Sequence, residues 1–123
     1  MTASRENMNA KHGERRANGR FPFVANAEVS ETGSHERLSV RVSEISTNGC
    51  YLDMLNPLPM GTKVSVKIFK EADSFDASAT VVYSHPNLGV GLAFQDVSQD
   101  SQLALQKWLA RAMGLVDPAS GKP

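Results

Sequence analysis

From Phe21 to Phe94, apolar side chains return at every second position in six short runs broken by turn residues. That period constrains the fold more than any other feature. Phe23, Ala25, Ala27 and Val29 alternate with Val24, Asn26, Glu28 and Ser30, which predicts a strand over Phe21–Val29 with one apolar face. Beyond the Thr32-Gly33-Ser34 turn, Leu38, Val40 and Val42 alternate with Arg37, Ser39, Arg41 and Ser43. Thr47-Asn48-Gly49 ends this second strand, and a third runs from Cys50 to Leu55. Leu58-Pro59-Met60-Gly61 has turn chemistry. Val64, Val66 and Ile68 then form the inward face of a fourth strand, with Lys63, Lys67 and Lys70 outside it or at its end. A loop over Glu71–Asp76 leads to a fifth strand, Ala77–Tyr83. His85-Pro86-Asn87 turns the chain into a sixth, Leu88–Phe94, whose Gly89 and Gly91 imply a bend or the close approach of another backbone. The expectation is an all-β domain, a small six-stranded antiparallel β-barrel without open sheet edges. The alternation by itself is equally compatible with a sandwich.

The period then changes. Leu105, Trp108, Leu109, Ala112 and Leu115/Val116 recur at helical spacing. Ser98 is placed to cap the N-terminus, Asp100 suits the first turn, and Gly114 is a stop signal. A C-terminal helix of roughly 15 residues should therefore follow the strands, its apolar stripe packed on the barrel. The polar residues 1–14 read as a flexible N-terminal tail, 15–114 as barrel plus helix, and 115–123 as a C-terminal tail.

Charge narrows the function. Thirteen basic and thirteen acidic residues leave a formal net charge of zero, which argues against a partner as large as a nucleic-acid polymer. The basic residues are nevertheless uneven: Lys11, Arg15, Arg16 and Arg20 face only Glu14 over that stretch. Local positive charge on a neutral chain suits a compact anion. The single cysteine, Cys50, rules out an intrachain disulfide and any cysteine cluster for a metal; its neighbours Tyr51 and Leu52 favour a buried structural thiol. No apolar run is long enough for a membrane span and the first 20 residues hold no secretory h-region, so a cytoplasmic protein without membrane insertion is expected. His12, His35 and His85 are scattered over tail and turns, and neither a nucleophile–base arrangement nor metal-ligand spacing occurs. Neither an enzyme nor a cofactor is expected.

Two polar segments carry the candidate chemistry. Arg15-Arg16-Ala17-Asn18-Gly19-Arg20 holds three arginines just before the first strand. Each guanidinium is a planar fork of donors that fits phosphate oxygens, or the O6/N7 edge of guanine, two at a time. Glu44-Ile45-Ser46-Thr47-Asn48-Gly49 closes the second strand. Residues two apart share a face in extended chain, so Glu44 and Ser46 should point together and Ile45 into the core. A carboxylate there can accept from the N1–H and N2–H of a guanine. Gly49 is expected to supply positive-φ freedom for the turn.

Arg16-x-x-x-Arg20 followed by Glu44-x-Ser46-x-x-Gly49 resembles the signature of the PilZ family, R-x-x-x-R and then [D/N]-x-S-x-x-G. Arg15 matches a frequently doubled arginine. Leu58-Pro59-Met60-Gly61-Thr62 resembles the turn before the family's fourth strand, and Gly89-Val90-Gly91-Leu92-Ala93-Phe94 resembles its penultimate element. The resemblance covers roughly residues 14–113 and implies a six-stranded antiparallel barrel with a C-terminal helix. It implies a ligand, cyclic diguanylate (c-di-GMP), with Arg15, Arg16, Arg20, Glu44, Ser46 and Gly49 as the binding residues. Glu44 departs from the pattern by one methylene. The expected function is a receptor that passes ligand binding to a protein partner by ordering its N-terminal arm. Because some family members act without ligand, a ligand-independent adaptor for a motility, pilus or polysaccharide machine is the alternative. A single-strand nucleic-acid binder is a third reading; it needs surface aromatics, for which Phe21, Phe23 and Tyr51 are the candidates.

Overall fold

The structure, a computed structural model, describes residues 19–114. Among these residues six strands, β1 (Phe21–Glu31), β2 (Leu38–Ile45), β3 (Gly49–Asp53), β4 (Lys63–Lys70), β5 (Asp73–His85) and β6 (Gly89–Val97), precede one helix, α1 (Gln99–Ala112). The strands close into a barrel in the order β1-β2-β3-β6-β5-β4, every neighbouring pair antiparallel. Closure settles the choice that alternation left between barrel and sandwich.

The inward faces of β1 and β4 are those the alternation predicts: Phe23, Ala25, Ala27 and Val29 from β1, and Val64, Val66 and Ile68 from β4, are all buried. Four predictions need correction. The segment Glu71–Asp76 is mostly strand: Lys70 pairs with Asp73, and only Glu71-Ala72 turns, Glu71 with φ 56. Strand β3 stops at Asp53, leaving Leu55 74% exposed, and Leu38 at the start of β2 is exposed as well. On the helix, Ala112 faces out while Ala104 and Ser101 are buried, so the apolar stripe sits one turn earlier.

Two irregularities decide which side chains reach the outer surface. The β2–β3 register shifts between Val42 and Glu44. Val42 and Ile45 are both fully buried although three positions apart, and strict alternation from Val42 would drive Glu44 into the core. An extra residue in one strand is what turns it outward. The β5–β6 register shifts likewise between Val81 and Tyr83. Val81 is buried, and the bulge at Val82 swings Tyr83 onto the outside of the barrel.

Helix α1 packs on β5 and β1. Ser98 Oγ accepts from Ser101 N at its N-terminus, and Ser101 Oγ accepts from Asp76 N at 2.9 Å. Trp108 is 1% exposed, its ring 5.2 Å from Phe23 and 6.3 Å from Phe75, so the helix caps the barrel with its one indole. The two predicted tails lie outside the described residues.

Candidate functional site

Register brings four outward positions into one row across four strands. Glu44 on β2 lies opposite Tyr51 on β3, Tyr51 opposite Gly91 on β6, and Gly91 opposite Tyr83 on β5. Because Gly91 has no side chain, the Tyr83 ring lies flat in the slot; a Cβ at position 91 would meet ring carbons of Tyr83. His85 joins the aromatic group, its ring stacked 5.4 Å from Tyr83 and 5.9 Å from Tyr51. Tyr51 Oη and His85 Nδ1 share a hydrogen bond of 2.9 Å. Burial, together with the negative charges of Asp53 and Glu44, holds the Tyr51 phenol above its ordinary value of 10.0, against the opposing pull of Arg20. The phenol therefore stays a neutral donor and acceptor at physiological pH.

Arg20, immediately ahead of β1, reaches over this row. Its guanidinium carbon stands 4.8 Å from the centre of the Tyr83 ring, and Nη1 is 3.7 Å from Glu44 Oε1. The pair stays half exposed, 52% at Arg20 and 45% at Glu44. At the β2–β3 corner, Ser46 N donates to Gly49 O at 2.9 Å and Ser46 Oγ donates to the same carbonyl at 3.2 Å. The hydroxyl proton is thus committed to the turn and the oxygen lone pairs remain for an incoming N–H. Phe94 N donates to Asn48 O at 2.8 Å, which ties the corner to β6. Arg20, Glu44, Ser46, Asn48, Gly49 and Tyr51 surround a depression of about 170 Å³. Pockets for drug-sized ligands measure about 300–1,000 Å³, so this hollow takes one group of a larger ligand and leaves the rest on the open surface.

The predicted role of Gly49 needs correction. It is the first residue of β3, paired with Ala93, and is not among the glycines with positive φ. Glycine is required there because any Cβ would run into the backbone carbonyl of Leu92. Of the predicted site, Arg20, Glu44, Ser46 and Gly49 lie together; Arg15 and Arg16 lie outside the described residues. Tyr83 and His85 belong to the same cluster and were not predicted. The doubled Val81-Val82 ahead of Tyr83 was the available signal for the bulge that exposes it. Of the aromatics considered for single-strand binding, Phe23 is core and Phe21 packs against the core. Only Tyr51 sits beside the arginine.

Two larger hollows, about 440 and 660 Å³, lie on the outer faces flanking β1. Most of their charged residues are paired with one another, Arg37 with Glu28, Lys67 with Asp76 and Arg41 with Asp53, Asp96 being the exception among the described residues, and neither hollow contains a signature residue. Size alone would favour them; the chemistry favours the smaller one. Among the described residues, no group of three His, Cys, Asp or Glu side chains could hold a metal, and no helix is long and apolar enough to cross a membrane.

A search of the curated proteins finds no match to the chain. Solved structures do match in fold. The PilZ domain of CeSA from a cellulose-synthesizing bacterium is 16% identical, with TM-score 0.58, over 79% of this chain and 97% of that one. The PilZ domain of YcgR from Escherichia coli, solved with c-di-GMP, is 13% identical with TM-score 0.64, over 89% and 99% of the two chains. The Bacillus subtilis inhibitor of motility MotI/DgrA, 15% identical with TM-score 0.64, is matched over 76% of this chain, which spans about half (49%) of its length. Residues 14–111 match the family model of the PilZ domain, and the chain belongs to the PilZ family.

Proposed function

We propose that this protein is a cytoplasmic receptor for c-di-GMP with no chemistry of its own. The observation that carries the reading is the meeting of Arg20 with the Glu44–Gly49 corner above an outward-facing tyrosine. That combination offers a guanidinium fork for phosphate, hydrogen-bonding groups for a guanine edge and an aromatic face for a base. The YcgR PilZ domain, of the same fold, is solved with c-di-GMP. Arg15 and Arg16 complete the cationic side of the site in this reading. Ligand draws the Arg15–Arg20 segment against the β2–β3 corner, and a protein partner reads the changed surface. The ligand can do this only as far as it prefers the ordered arrangement.

The test is calorimetry with c-di-GMP on wild type, Arg16→Ala and Arg20→Ala, with circular dichroism to check the fold. Removing one charge-assisted arginine contact should cost about 2–3 kcal/mol, or about 30- to 150-fold in affinity. Equal binding by all three proteins rejects the site. One observation favours the alternative adaptor reading: Glu44, where the family pattern has Asp or Asn, already engages Arg20 within the chain. An adaptor would give no heat with the nucleotide and would bind its protein partner regardless of it.

A further inference from the structure

We propose, on the basis of the receptor reading above, that Glu44 is a resident counter-ion for Arg20, one that an anionic ligand must displace, and that it sets the concentration at which the site fills. Three observations converge on it. Glu44 reaches outward only because the register shift after Val42 turns it away from the core. Its carboxylate stands 3.7 Å from Arg20 Nη1, at the far end of ion-pair range. An aspartate at this position, shorter by one carbon–carbon bond of about 1.5 Å, would leave the guanidinium out of contact. The extra methylene thus converts a residue that could face a ligand into one that reaches the arginine beside it.

The third observation is where this contact leaves Arg20. Its guanidinium lies 4.8 Å over Tyr83, covering the aromatic face on which a flat base would otherwise stack. The planar cation therefore roofs the ring, with Glu44 bracing the roof from β2. A ligand entering here must take the arginine from its carboxylate and find a place beside, or in place of, the Arg20 guanidinium over Tyr83. The opposing contact is weak, as half-exposed ion pairs are, so it tunes the site without closing it. Losing it should tighten binding roughly two- to fivefold.

The test uses the full chain in three forms: wild type, Glu44→Gln and Glu44→Asp. Each is titrated with c-di-GMP by calorimetry, and the Arg20 Nε–H signal is followed by NMR without ligand. The expected result is tighter binding by both variants, two- to fivefold for Glu44→Gln, with a displaced Arg20 signal in both. Unchanged or weaker binding by Glu44→Gln overturns the proposal, because the carboxylate would then be indifferent to the ligand or an acceptor for it. Tightening in Glu44→Gln but not in Glu44→Asp also overturns it, since the charge would be acting through space and not by contact. If none of the three proteins binds c-di-GMP, the receptor reading fails separately. The Arg20 signal then decides alone: displacement in both variants retains the counter-ion, and an unmoved signal overturns it.

Discussion

A methyl group at position 49 would collide with the carbonyl oxygen of Leu92, a backbone atom held in the β3–β6 ladder, whereas one at position 91 would meet the Tyr83 ring. The two glycines look alike in sequence and should behave differently. The backbone at Gly49 has no rotamer to give, so Gly49→Ala must open the ladder at the corner that carries Ser46. Overpacking of this kind costs about 1–3 kcal/mol, a fall in melting temperature on the order of 10 °C for a domain of this size. Gly91→Ala can be relieved by swinging the Tyr83 ring off the barrel wall, so it should melt closer to wild type while shifting the Tyr83 ring resonances. Thermal melts followed by circular dichroism, with aromatic NMR on the second variant, check both expectations. Equal destabilisation by the two variants would contradict the distinction between a backbone and a side-chain obstacle.

Among the elements, what was readable and what was not follows from how each is specified. The β1 and β4 faces were readable because nothing interrupts their period of two between residues 23 and 29 or 64 and 68. The β2 and β5 faces were only partly readable, since a bulge resets the phase mid-strand, and Val81-Val82 is a weak mark of one. The placing of β6 between β3 and β5 is not a local property of any segment, and it is what carries Tyr83 to Arg20. Part of the candidate site was therefore visible as a motif and part only as topology. The helix was readable from its cap and stop, although its stripe was placed one turn too late, and its single tryptophan is its most buried contact with the barrel. Trp108→Ala should cost about 3–5 kcal/mol, seen as a lower denaturant midpoint. Trp108 Nε1 is buried and finds no hydrogen-bond partner among the described residues. Trp108→Phe, which keeps a ring against Phe23 and Phe75 while removing that orphaned N–H, should lose much less than the alanine variant.

At the scale of the molecule, the barrel closes through pairs far apart in sequence, β1 with β4 and β3 with β6, so the core is sealed or open as a unit. A titratable group in that core then reports on the whole domain. Cys50 is such a group: burial pushes its thiol from an ordinary 9.0 up to about 12. The folded chain holds the proton where the unfolded chain releases it. Between those two values the unfolded state binds fewer protons than the folded one, so stability falls as pH rises. The contribution is fully present below about pH 9 and is lost towards about pH 12, at close to 1.4 kcal/mol per pH unit for one proton. Tyr51, also held above its ordinary value, acts in the same direction over the upper part of that window. Comparison with Cys50→Ala removes its contribution and that of the lysines, which both proteins share. Urea midpoints measured from pH 8 to 10.5 should fall more steeply for wild type than for the variant, and the native thiol should resist alkylation at pH 9 while the urea-unfolded thiol reacts. Parallel pH profiles for the two proteins would mean that the thiol reaches solvent without unfolding, and the sealed barrel would then be the part of the picture to give up.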